Sequence, residues 1–284
     1  MKEAINFGYL PEEYSDPENA GIVIIPVAYD GTSTWVKGAD EGPTAIIEAS
    51  ANMELYDIET DSEVYRKGIF TENPIAGEIS TTEMIQAVNE TVKYYLEKEK
   101  FTVVIGGEHS VSIGSIRAHA ERYANLTVLQ LDAHADLRDE YNGSKYNHAC
   151  VMARASEICP ILQVGVRSMD SSEKKFMNFE NVFLAEDIHQ QKEWIEKAVS
   201  RLSEKVYITI DLDVFDPSLM SSTGTPEPGG LLWYDVLELL RRVCEKTDVV
   251  GFDVVELCPD DRNRAPDFLA AKLIYKLLSY KFRD

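Results

Sequence analysis

The chain is short of basic side chains: 28 Lys and Arg stand against 49 Asp and Glu in 284 residues, a formal charge of −21. A field of that sign repels phosphate backbones and anionic membranes and concentrates small cations, so nucleic acid and lipid are poor partners. The same charge also serves solubility, and both readings stand. No segment approaches the roughly 18 uninterrupted apolar residues that a membrane helix requires, and the opening MKEAINFGYLPEEYSDPENAG has no apolar signal core. Cysteine is scarce. Cys150, Cys159, Cys244 and Cys258 form no C-x-x-C pair and sit in or beside apolar stretches, the pattern of reduced core thiols in a reducing cytoplasm. Internal repeats, low-complexity tracts and Pro/Gly/Ser-rich linkers are also missing, so 1–284 reads as one domain. With 44% hydrophobic and 10% aromatic residues, the chain can bury a core and fold alone.

What is present is an alternation. Short β-branched runs at 22–27, 102–105, 126–131, 161–166, 206–210 and 249–255 have the length and composition of buried strands. Between them, stretches such as 83–98 and 231–246 carry apolar residues at helical spacing with charges on the other face. Strand alternating with helix predicts a mainly parallel sheet covered by helices on both sides. Pro43 and Pro266 each stand where a helix should start.

Four of these strands end in polar residues that a fold does not need: VVIGGEHS at 103–110, VLQLDAHAD at 128–136, ITIDLDV at 208–214 and FDVVELCP at 252–259. In a parallel sheet the carboxyl ends of the strands open onto one edge, so the four clusters converge there. Asp132, His134 and Asp136 are spaced by two, and at strand period all three point to one side; Asp211 and Asp213 repeat the spacing. With His109 they make four carboxylates and two imidazoles, enough for two metal ions sharing bridging carboxylates. Oxygen-rich ligation with some imidazole favours Mn²⁺ over zinc, and four carboxylates balance two divalent ions while leaving room for a hydroxide nucleophile. Alone, a D-x-D is commonly a turn and a buried His a satisfied core residue; the force of the pattern lies in the combination.

Of the remaining histidines, His119 and His189 have charged or polar neighbours and are expected to face solvent. His148, in KYNHACVMARA, reads as part of a loop entering a helix. It is either a proton carrier over the metal site, with an unperturbed pKa near 6.5, or a cap for that helix. Glu256 ends an apolar strand and requires a cationic partner, which is either the nearby Arg262 and Arg264 or a substrate. STGTPEPGG at 222–230 is a rigid loop downstream of Asp213 and on its own is an ordinary turn.

The motifs GGEHS, DAHAD, NHACVMARA, DLDVFDP, TGTPEPGG and FDVVEL occur in the order and at spacings similar to those of ureohydrolases, the arginase and agmatinase superfamily, over about residues 20 to 280. The resemblance implies an arginase-like three-layer α/β/α sandwich with an eight-stranded, mostly parallel sheet, and two Mn²⁺ per subunit. It implies His109, Asp132, Asp136 and Asp211 around one ion and His134, Asp132, Asp211 and Asp213 around the other, with Asp132 and Asp211 bridging. It further implies that a hydroxide shared by the ions attacks a guanidinium carbon to release urea and an amine. His148 then carries the proton, Glu256 holds the guanidinium in paired hydrogen bonds, Thr225 lies close to it, and the subunits assemble as trimers or hexamers.

The chain departs from the family pattern at Met220, Ser221 and Ser222, at Glu41 and Ile47, and at Glu108, where Asp is frequent. These changes are expected to affect loop shape and subunit contacts. Among substrates agmatine is favoured, as in agmatinases and especially archaeal ones. The LRDEYNGSKYN loop at 137–147 is unlike the serine- and threonine-rich arginase loop that receives the carboxylate of arginine, and the chain stops without the long arginase tail. Arginine, guanidinobutyrate and guanidinopropionate remain as alternatives, as do a binuclear phosphoesterase and a metal-binding regulator without turnover.

Overall fold

The computed structural model describes residues 6–283. Nine strands form one sheet: β1 (Ile22–Ala28), β2 (Ile69–Thr71), β3 (Ile75–Ala76), β4 (Phe101–Gly106), β5 (Leu126–Leu131), β6 (Ile161–Val166), β7 (Val182–Leu184), β8 (Lys205–Asp211) and β9 (Asp248–Val255). The order is β2-β1-β4-β9-β8-β5-β6-β7, with β3 also pairing to β1, and each of these pairs is parallel. Eight strands form the expected path; the ninth, β3, is a two-residue extension beside β1. β2, β3 and β7 are two or three residues long, too short for a run of that length to stand out in the sequence.

Alternation along the strands divides the core in two. Ile22 and Ile24 of β1, Ile208 and Ile210 of β8, and Phe252 and Val254 of β9 join one cluster. On that face pack α1 (Glu12–Ser15), α2 (Gly42–Ser50), α6 (Ala185–Gln190), α7 (Trp194–Val199), α8 (Trp233–Lys246) and α9 (Ala265–Lys281). Val23, Ile25, Val104 and Tyr207 join the other cluster, beneath α3 (Thr81–Glu97), α4 (Ser112–Arg122) and α5 (Val151–Ser156). The result is the three-layer sandwich that the alternation requires. Pro43 and Pro266 sit in the first turns of α2 and α9, where a missing N–H costs nothing. The loop after α2 is pinned to α9 by the buried Lys276, whose ammonium lies 3.0 Å from Asp57 Oδ2 and 2.6 Å from Glu59 Oε2. Among the described residues no helix is long and apolar enough to cross a membrane, and the four cysteines are free.

His189 is exposed, as expected, but His119 is fully buried. It lies on the same face of α4 as the buried Ser112, Ser115 and Ile116, and helical spacing outweighs its polar neighbours. Its Nδ1 is 2.8 Å from Ser115 O, and its Nε2 is 3.2 Å from Thr102 Oγ1. The ring fits because residue 251 is glycine: a Cβ there would lie 2.2 Å from His119 Nε2. Burial pushes this imidazole down to about 4, so it is neutral in the core.

The chain starts at β1, adds β2 outside it and β4 inside it, leaps to β5 for the other half, and returns to insert β8 and β9 between β5 and β4. The carboxyl ends of β4, β5, β8 and β9 therefore open together at a topological switch point, the place where such sheets bind ligands.

Candidate metal centre

His109, Asp132, His134, Asp136, Asp211 and Asp213 all come from this edge, and their donor atoms meet. His109 Nδ1 lies 2.9 Å from Asp136 Oδ2, 3.2 Å from Asp132 Oδ2 and 3.5 Å from Asp211 Oδ2. His134 Nδ1 lies 2.8 Å from Asp213 Oδ2 and 3.6 Å from Asp132 Oδ1. Asp132 thus offers one oxygen to each histidine, the arrangement of a bridging ligand. His109, Asp132 and Asp211 form one group able to hold an ion, and Asp132, His134 and Asp213 a second.

Continued strand alternation does not explain all of this convergence. β5 ends at Leu131, and Asp136 has a left-handed backbone, φ 52°, so its carboxylate is turned toward His109 by a bend. Asp213 lies in a single 3₁₀ turn after β8, whose first N–H groups are capped by Asp211: Asp213 N donates to Asp211 Oδ1 at 2.8 Å. Asp213 Oδ1 in turn accepts from Ala133 N at 2.9 Å, tying the β8 turn to the β5 loop.

The supporting hydrogen bonds set the chemistry of the donors. Thr209 donates its hydroxyl to the Asp253 carboxylate at 2.6 Å, so its oxygen accepts from His109 Nε2–H at 2.9 Å. The Nδ1 lone pair of the neutral ring then faces three carboxylate oxygens, and this buried atom has no hydrogen-bond partner among the described residues. A lone pair against three oxygens is repulsive unless a cation stands between them, and the donor set therefore fits a divalent metal. Gln130 Nε2 donates to Asp132 Oδ2 at 2.7 Å and is itself held by Gln163, whose Nε2 also reaches Ala135 O at 2.7 Å. Without an ion, protons collect where the metal would sit. Burial and the Asp132 charge push Asp136 up to about 7, and burial with Asp213 and Asp132 raises Asp211 well above its ordinary value. For His109 and His134 burial alone would lower the pKa, but the neighbouring carboxylates outweigh it, taking His134 to about 12.

Over these donors is a cavity of about 310 Å³, lined among others by His109, His134, Asp211, Asp213, His148 and Glu256, with Thr225 beside them. Asp132, fully buried, lies behind its floor. All nine residues singled out from the sequence are thus brought together.

Glu256 follows β9 with φ 70°, a left-handed conformation that costs about 1–3 kcal/mol in a non-glycine residue and is found at functional sites. The turn is held by Glu256 N to Gly107 O at 2.8 Å and by His109 N to Glu256 Oε1 at 2.7 Å. Arg262 and Arg264 are not its partners. Arg262 pairs with Asp260, and Arg264 with Asp261, Glu48 and Asp267. Glu256 is a buried carboxylate lining the cavity with no cationic partner among the described residues, and burial, then the Glu108 charge, raises its pKa well above the ordinary value. His148 does not cap its helix either: that bond belongs to Asn147, whose Oδ1 accepts from Ala149 N at 3.1 Å. Burial, then the charge on His109, pushes His148 down to about 4 rather than the 6.5 of a free imidazole.

Several supporting residues escaped the sequence reading. Gln130 and Gln163 left a signal, two glutamines inside otherwise apolar strands, and they pair in register. Thr209 and Asp253 left the same kind of signal in β8 and β9. Arg167 left none. Its guanidinium donates to Glu227 O at 2.8 Å and Asp213 O at 2.6 Å, fastening the 222–230 loop to the β8 turn. Glu108 is fully buried and accepts from Ser110 N and Thr32 N, so it ties the Thr32 loop to the turn after β4. Met220 and Ile47 are buried in the core.

A sequence model described as the arginase family matches residues 20–279. An N(1)-aminopropylagmatine ureohydrolase of Synechocystis is 38% identical, over 92% of this chain and 89% of that protein. The agmatinase of Pyrococcus horikoshii is 32% identical, over 94% of each. The crystal structure of the agmatine ureohydrolase of Thermoplasma volcanium superposes with a TM-score of 0.88 at 30% identity, covering 100% of this chain and 96% of that one.

Proposed function

The chain belongs to the arginase family, and from that premise we propose that it hydrolyses the guanidinium group of agmatine to urea and putrescine. The observation that carries this reading is Glu256: a buried carboxylate with no cationic partner among the described residues, in a cavity lined by five of the six candidate metal donors, with Asp132 behind them. A guanidinium fills that vacancy with paired, charge-assisted hydrogen bonds. A phosphoesterase has no use for a second anion there. The cavity lining includes Asp170 and the buried Glu173, whose carboxylate accepts from Leu137 N and Asp170 N. Its one arginine, Arg138, is occupied, lying 4.5 Å over the Tyr141 ring and 3.9 Å from Glu173. A lining with acidic groups and no unpaired guanidinium suits a tail ending in an ammonium better than the carboxylate of arginine or guanidinobutyrate.

His109, Asp132, Asp136 and Asp211 would hold one ion and His134, Asp132, Asp211 and Asp213 the other, and the oxygen-rich set favours Mn²⁺. Two divalent ions supply, by lowering the pKa of water, a nucleophile strong enough at neutral pH for a resonance-stabilised guanidinium. The protein's own groups do the rest. Glu256 orients the guanidinium with its carbon over the donors, the walls of the cavity exclude bulk water, and His148, neutral before reaction, takes up a proton and passes it to the departing amine. We also propose a homo-oligomer, a trimer or hexamer, acting in the cytoplasm in polyamine synthesis; the four free cysteines support a reducing compartment.

A second reading is favoured by the relatives: three proteins 37–38% identical are named N(1)-aminopropylagmatine ureohydrolases. Agmatine lengthened by an aminopropyl arm keeps the same guanidinium and adds a cation, so Glu256 and the metal donors serve both. Urea release from agmatine, N1-aminopropylagmatine, arginine, 4-guanidinobutyrate and 3-guanidinopropionate in parallel decides. Preference for either amine-tailed compound supports the proposal and picks its substrate, whereas preference for a carboxylate-tailed one overturns the substrate assignment.

A further inference from the structure

Resting on the proton-carrying role proposed for His148, we infer that Thr32 is the positioning residue that fixes the tautomer of His148, so that only Nε2 exchanges a proton with the cavity. The two residues are 116 positions apart, yet one hydroxyl meets His148 twice. Thr32 Oγ1 accepts from His148 N at 3.0 Å and lies 3.1 Å from His148 Nδ1. A threonine oxygen has two acceptor lone pairs. With one taken by the main-chain N–H, the second is open to Nδ1–H, and the Thr32 main chain, which also bonds the imidazole and favours a protonated nitrogen on that side, turns the pair that way round. With Nδ1 facing Thr32 and His148 lining the cavity, Nε2 is left as the nitrogen that picks up and releases the proton.

Thr32 is itself held. Its N–H donates to Glu108 Oε1 at 3.3 Å, and Glu108 is fixed by Ser110, through N to Oε2 at 2.8 Å and Oγ to Oε1 at 2.8 Å. Asp30 closes the loop from the other side, accepting from Gly38 N at 2.8 Å and from Ser33 Oγ. Gly31 allows the turn, since a Cβ there would lie 2.0 Å from the Tyr29 hydroxyl. Across the imidazole, Tyr141 packs edge-on with ring centroids 5.9 Å apart. Thr32 is thus the last member of a rigid line running from Ser110 and Glu108 to a ring that needs one orientation. Positioning of this kind is worth much of a proton-transfer step, and loss of it costs about 10-fold to about 100-fold in rate.

The test uses the metal-loaded, full-length protein with Thr32→Val and Thr32→Ser. Valine keeps the shape and removes the oxygen; serine keeps the oxygen. Expected for Thr32→Val is a kcat loss of about 10-fold to about 100-fold with KM and metal content unchanged, and Thr32→Ser restores kcat. In ¹⁵N-histidine spectra, the resonances missing from His148→Asn identify His148, which should be in the Nδ1–H form in the wild type and lose that preference in Thr32→Val. An Nε2–H ring in the wild type overturns the inference. So does a valine variant that keeps kcat, loses metal in parallel, or is not rescued by serine. If the wild type releases no urea from any guanidine, the functional reading fails separately, and the tautomer alone still decides whether Thr32 fixes the ring.

Discussion

Replacing Glu256 by glutamine removes a charge while keeping the volume of the side chain. The bond from His109 N to Oε1, 2.7 Å long, can pass to the amide oxygen, so the left-handed turn and the donors should stay in place. What goes is the pairing of carboxylate with guanidinium. Losing one partner of a buried, hydrogen-bonded ion pair costs about 2–5 kcal/mol, and kcat/KM should fall about 30-fold to about 5,000-fold at 1.36 kcal/mol per decade. The pairing exists in both the bound substrate and the transition state, so the loss should fall mainly on KM. Stability should move the other way. The raised pKa means that folded, metal-free protein holds a proton on Glu256 that the unfolded chain has released, so stability falls as pH rises. Glutamine has no such cost: the metal-free variant should melt above the wild type at pH 8, with the gap shrinking toward pH 5. Steady-state urea release, metal analysis and thermal melts measure all three. An unchanged kcat/KM, or activity lost together with metal, would refute the assignment.

Asp213→Asn should weaken the ion beside His134 and spare the one beside His109, lowering metal content per subunit by mass analysis; loss of both ions together would show that the two sites are not separable. In the metal-free protein, Asp136 at about 7 and His134 at about 12 both hold protons that the unfolded chain releases earlier, so its melting temperature should fall from pH 5.5 to pH 8. Metal must displace those protons, so its affinity by calorimetry should rise over the same range; a flat affinity would contradict the competition. Lys276→Met leaves the buried Asp57 unpaired. That costs about 3–5 kcal/mol, and the melting temperature should drop by about 6–20 °C with metal content unchanged.

The strands and helices that carry the site were legible because each is long enough for its period to show, and the convergence of the six candidate donors because they stand at the ends of apolar strands, on the one edge where a parallel sheet gathers its loops. Legibility stopped where geometry is set by backbone bends and distant partners. Asp136 and Glu256 reach the site through left-handed residues, which strand alternation does not anticipate. His119 had charged neighbours along the chain, but it falls on the buried face of α4, and room for its ring depends on the missing side chain of Gly251, 132 positions away. Thr32 and Arg167 act on residues 116 and 46 to 61 positions distant, and neither sits in a pattern of its own. The short β2, β3 and β7 pair only because their neighbours present an edge.

Six donors that hold two ions, and two ions that together drive guanidine hydrolysis, make a stoichiometric requirement. Stepwise addition of Mn²⁺ to metal-free protein, with urea release from the preferred guanidine measured in the same samples, tests it most directly. Turnover should rise to a plateau at two ions per subunit and vanish on chelation; full turnover without metal, or two bound ions with no urea, would contradict the account.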